Sequence, residues 1–124
     1  MTSVFTDKAP TPAGHYSQAI ISGDFVFVSG QLPIDPGTGE IRKSIEEQTE
    51  QVISNIKSIL TEAGSSLQKV VKATVYISDI SLWGKVNDVY SMRFGGHKPA
   101  RAMVPTRDLH FGCLIEIEAI AEVG

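Results

Sequence analysis

The stretch from Arg93 to Arg107 holds Arg93, Lys98, Arg101, Arg107 and His97, and not one acid. In a chain of net charge −3 this is a local positive patch. Arginine suits an anion site, because its planar fork grips a carboxylate through two parallel hydrogen bonds. For Arg93 and Lys98 the solvated-loop reading is preferred. Glu116 and Glu118 stand two apart in the apolar run Leu114 to Ala121, so on a strand they point to one side of the sheet. Charges there have two readings. One is a pair of salt bridges with neighbouring strands or subunits. The other is an acid/base group in a partly buried interface, its pKa raised by lost hydration. Cys113, the single cysteine, would need a base and a positive setting to act as a nucleophile. A buried structural thiol is the preferred reading.

Other chemistries find less support. His15, His97 and His110 show no metal-ligand spacing and read as surface histidines. Gly37-Thr38-Gly39 and Gly95-Gly96 match no phosphate-binding loop and read as turns. A pI of about 5.5 disfavours a dedicated nucleic-acid binder. No apolar run approaches the ~20 residues of a membrane helix, and Met1 to Ala13 lacks a signal-type stretch. One cysteine excludes an internal disulfide framework and fits a reducing compartment, so a cytoplasmic location is expected.

These residues need a scaffold, and 124 residues suffice for one domain spanning the whole chain, 1–124. Residues through Pro12 read as an arm or a short edge strand. Tyr16–Ser22 and Asp24–Ser29, joined across Gly23, read as a β-hairpin. Ser44 to Ala63 is the clearest helix. Ser44 caps it, Glu47 closes a capping box, and Gly64 stops it. Ile45, Val52, Ile53, Ile56, Ile59, Leu60 and Ala63 form its apolar stripe. Lys69–Ser78 reads as a strand, with Val71, Ala73, Val75 and Ile77 on one face and Val70, Lys72, Thr74 and Tyr76 on the other. Ser81 opens a second helix to about Phe94, with Leu82, Val86, Val89 and Tyr90 inward. Ala100 to about Leu109 is extended, at an edge or bulge because of Pro105. Cys113–Val123 is the last strand. The order β-β-α-β-α-β-β predicts an α+β domain. Two helices cover one sheet face. The other, half-apolar, has no element left to cover it, which predicts a closed homo-oligomer.

Several motifs carry a family resemblance. Gly14-His15-Tyr16-Ser17-Gln18-Ala19, Val28-Ser29-Gly30-Gln31-Leu32-Pro33, Asp35-Pro36-Gly37-Thr38-Gly39-Glu40, Val86-Asn87-Asp88-Val89-Tyr90, Pro99-Ala100-Arg101-Ala102 and Ile115-Glu116-Ile117-Glu118-Ala119-Ile120-Ala121 resemble those of the RidA/YjgF family of enamine/imine deaminases over nearly the whole chain. The resemblance implies a chorismate-mutase-like α+β fold, a mixed β-sheet with two helices on one face. It implies a homotrimer with three sites in the clefts between subunits. It implies hydrolysis of reactive 2-imino acids and enamines, such as 2-iminobutanoate and 2-iminopropanoate, to 2-keto acids and ammonia, which protects pyridoxal-phosphate enzymes. Arg101 matches the arginine that grips the substrate carboxylate. Glu116 matches the glutamate that handles water. Tyr16, Ser29 and Asn87 match pocket positions, and Phe25 and Phe94 add apolar wall. No metal or organic cofactor is implied. Three residues depart from the family pattern: His15 and His110 replace prolines, and Met103 replaces a cysteine or another small residue. The alternatives are a non-catalytic binding or regulatory module for a keto acid or amino acid, and an endoribonuclease or translation inhibitor.

Overall fold

A computed structural model describes all residues, 1–124. The strands are β1 (Thr2–Val4), β2 (Ala19–Ser22), β3 (Phe25–Gln31), β4 (Val70–Ile77), β5 (Ala100–Pro105) and β6 (Ile115–Glu122), and the helices are α1 (Ile45–Glu62) and α2 (Trp83–Phe94). They form one six-stranded sheet in the order β1-β2-β3-β6-β4-β5. β4 and β5 are parallel, and every other pair is antiparallel. The α+β class and the mixed sheet with two helices are as expected. The arm resolves as its edge-strand alternative, because Thr2–Val4 pairs with β2. Pro105 sits at the last position of the edge strand β5, where its missing N–H costs no ladder bond.

Local chemistry accounts for the helix ends. The Ser44 Oγ accepts from the Glu47 N–H at 3.1 Å and donates to the Glu47 carboxylate at 3.1 Å. The box therefore closes on the Ser44 hydroxyl rather than on its backbone. At the other end Ser65 N–H donates to Leu60 O, and Gly64 N–H to Thr61 O. Gly64 takes φ +78° to permit this, and orphan carbonyls of the last turn are satisfied. Before α2, Asp79 and not Ser81 is the capping residue. Its Oδ1 accepts from Ser81 N–H at 2.8 Å, and a short 3₁₀ turn (Ile80–Leu82) precedes the helix. All seven residues of the predicted α1 stripe are buried. They pack on the inward faces of β3, β4 and β6, which together with α2 make the single core.

One facing assignment is corrected. Val70 is fully buried and Val71 is exposed, the reverse of strict alternation. The register between β4 and β6 shifts between Val70 and Lys72. A bulge there inverts the parity of the strand's first residues, an effect invisible to a period-2 reading. From Ala73 on, the alternation holds. The far face of the sheet is uncovered and exposes Phe25 and Phe27.

Candidate active site

Three buried amides fix the loops around the grooves. Gln18, in the loop before β2, accepts from Thr6 N–H at 2.7 Å and donates to the carbonyls of Thr6 and Pro10. This anchors the N-terminal arm. On α1, Asn55 donates to Leu32 O and Ile34 O, and Gln48 links Arg42 O to the Leu114 N–H. Burying such groups is tolerable only because each is satisfied. Gln48 and Asn55 lie off the apolar stripe of α1, and the loop partners of Asn55 lie far off in sequence.

Within this frame Tyr16, Ser29 and Glu116 line one cavity of about 330 Å³, together with Gly30, Leu32 and His110. Ser29 donates to Ser17 O at 2.7 Å, and the Tyr16 hydroxyl accepts from Ala13 N–H at 3.2 Å. The register of β3 against β6 is irregular between Val28 and Gln31, and Gly30 sits in that irregularity. A Cβ at Gly30 would collide with the Glu116 carboxylate. Burial pushes the Glu116 carboxyl above its ordinary range. Glu118 adds like-charge repulsion, and His110 pulls the other way. Such a group, beside an open groove, holds its proton more readily than an exposed carboxylate. Glu118 accepts from the Tyr76 hydroxyl at 2.5 Å, so of the two strand carboxylates only Glu116 faces the cavity without a hydrogen-bond donor.

Arg101 and Asn87 line a second cavity of about 420 Å³. Arg101 Nη1 donates to Asn87 Oδ1 at 3.0 Å. Its guanidinium lies 4.8 Å from the Tyr90 ring centre and 5.5 Å from that of Trp83, a cation–π setting. No carboxylate pairs with it. The rest of its fork is therefore available to an anion.

The two groups do not meet within one chain. Arg101 is registered with Ala73 and Ala119, whose side chains enter the core. Glu116 is registered with Tyr76 on the uncovered face. The sheet therefore separates the guanidinium from the carboxylate.

Other candidates fall elsewhere. Phe94 is buried and stacks on Tyr90 at 4.4 Å. It also borders the Arg101 cavity. Phe25 is on the uncovered face opposite Glu122 and lines neither cavity. Arg93 is no solvated residue. It donates to Glu50 O and Ser54 Oγ and pairs with the Glu50 carboxylate at 3.4 Å, tying α2 to α1. His97 is half-buried and 2.6 Å from Val70 O, not a plain surface histidine. Cys113 is buried, and burial raises its thiol pKa, as a structural cysteine requires. No three His, Cys, Asp or Glu side chains gather where a metal ion could bind. No helix is long and apolar enough to cross a membrane. Sequence spacing missed Gly30 and Leu32 as site residues. A glycine inside a strand, which often marks close approach of another group, was the available signal for Gly30.

The chain matches the family model described as Endoribonuclease L-PSP over residues 6–123. It is 59% identical over 119 residues to a RutC family protein of Pyrococcus abyssi, covering 95% of this chain and 94% of that relative. Among solved structures, RidA from the Antarctic bacterium Psychrobacter sp. PAMC 21119 superposes with a TM-score of 0.96 at 42% identity, over 99% of this chain and 100% of that one. E. coli TdcF with bound serine gives 0.96 at 35% identity, over the full length of both. The fold defines an α+β domain of this kind. The chain belongs to the RidA/YjgF family.

Proposed function

We propose that the protein hydrolyses reactive 2-imino acids, with 2-iminobutanoate and 2-iminopropanoate as type substrates, to 2-keto acids and ammonia. The observation that carries this reading is Arg101. It is a guanidinium oriented by Asn87 and by two aromatic rings, and no carboxylate neutralises it. A small carboxylate is the natural complement. The serine bound to the relative TdcF is such a ligand.

The working site joins Arg101 and Asn87 of one copy to Tyr16, Ser29 and Glu116 of the next. The separation across the sheet supports this division, as does the apolar surface of the uncovered face. Three copies in a closed ring follow from the family resemblance. Arg101 holds the carboxylate and presents the imine carbon. Glu116 takes a proton as water adds to that carbon, and the C=N electrons move to nitrogen. Glu116 then returns the proton to nitrogen. Glu116 then relays the hydroxyl proton of the carbinolamine to its nitrogen as the C–N bond breaks and C=O forms, and ammonia departs. The C=N carbon is electrophilic already, so the residues named complete the proton balance. The cytoplasm, where pyridoxal enzymes release such imines, is the expected place of action.

The test generates the two imines in situ with an amino-acid oxidase and traps them with semicarbazide. Wild-type protein suppresses semicarbazone formation, Arg101→Ala does not, and Glu116→Gln turns over slowly while still binding 2-ketobutyrate. Failure of wild type on every imine, with keto-acid binding intact, sinks catalysis. It leaves the second reading, a carboxylate-binding regulatory module, which the serine-bound relative favours.

A further inference from the structure

Phe111 is the only non-glycine residue with positive φ (+60°). The residue is 56% exposed, and its ring stacks on the His110 ring at 3.9 Å and 7° between planes. A bulky side chain in left-handed backbone is strained. Burial in this chain's core does not offset that strain, because the ring lies outside the core. Strain held without a packing return points to a functional contact.

The contact surface is at hand. Phe111 and His110 border a cavity of about 290 Å³ whose other walls include Pro10, Tyr16, Leu32 and Ile34. No Asp, Glu, Lys or Arg side chain lines it. Tyr16, Gly30, Leu32 and His110 also line the Glu116 cavity, so the two spaces form one groove. Its acid/base end lies at Glu116, and its apolar end lies under the stacked rings. The volume is near the lower limit for ligand pockets, about 300 Å³. It suits one side chain rather than a second ligand.

Building on the deaminase reading, we infer that the His110–Phe111 stack and the Pro10–Leu32–Ile34 wall form the subsite for the substrate's side chain, and that it selects 2-imino acids with large apolar, ring-bearing side chains. A slot bordered by aromatic faces, with His110 its one basic group, favours a flat apolar side chain over a small or basic one.

The test compares kcat/KM for imines made in situ from phenylalanine and from alanine, in wild type and in Phe111→Gly. Glycine accepts φ +60° without strain, so this variant folds. In parallel, phenylpyruvate and pyruvate are titrated calorimetrically, which needs no turnover. Wild type is expected to favour the phenyl compound by about tenfold or more in both assays, and the ratio in Phe111→Gly should fall to within about threefold of unity. Equal handling of the two by wild type overturns the subsite, and so does a preference that survives in Phe111→Gly. A changed oligomer mass in the variant, with the ratio intact, assigns Phe111 to an interface between copies and also overturns it. Tight phenylpyruvate binding without turnover of any imine keeps the subsite and removes the deaminase reading instead.

Discussion

The Glu116 carboxylate occupies the space that a side chain at Gly30 would fill. The glycine is a negative image of the acid, and the β3 irregularity brings the two strands together there. Gly30→Ala should push the carboxylate away by about a methyl radius while leaving the core intact. Misplacement on that scale costs about a hundredfold in rate. Imine hydrolysis by the variant, measured beside its thermal unfolding, checks this. A variant of unchanged rate would show that Glu116 needs no fixed position.

The acid side of the pH–rate profile should report Glu116. In the proposed mechanism its ionised form is the base, so activity rises with pH through a midpoint above the usual carboxylate value of about 4.3. Burial and the Glu118 charge raise that midpoint, and His110 opposes them. Glu118→Gln removes a like charge, keeps an acceptor for Tyr76, and should move the midpoint down. His110→Gln removes the opposing influence and should move it up. Opposite shifts in the two variants are the signature; shifts of one sign would exclude Glu116 as the titrating group.

Gln18 ties Thr6 and Pro10 to the loop before β2 through a buried amide. Gln18→Ala leaves the Thr6 N–H and its carbonyl without partners. We expect a loss of about 2–4 kcal/mol in urea unfolding and early protease cleavage near Pro10. Full stability would mean that the arm finds other partners.

Cys113 is buried with a raised thiol pKa. Its reaction with a disulfide reagent at pH 7.5 should be far slower in native protein than in urea, since the thiolate is the reactive form. Cys113→Ala should retain imine hydrolysis. Loss of turnover in a folded Cys113→Ala would return this thiol to the chemistry.

How much of this was legible in the sequence depends on the range of the interactions. The α1 stripe, its Ser44 cap and its Gly64 stop are local, and all three stand in the structure. The inward face of β6 follows from strict alternation, and that strand keeps it. The bulge at Val70–Lys72 depends on the partner strand, so alternation misassigned Val70. Charge alone grouped Arg93 with Arg101. Only tertiary geometry shows that Arg93 reaches α1 and Arg101 reaches Asn87. The family motifs named Glu116 and Arg101 together, and nothing in their spacing told that the sheet lies between them.

The buried amides of Gln18, Gln48 and Asn55 have a kinetic corollary. They hold the groove walls from within, so the walls are set before a ligand arrives. Hinged covers typically cost an enzyme microseconds to milliseconds per opening. An imine that water destroys unaided makes such waiting wasteful. With a mouth already formed, no opening step precedes binding.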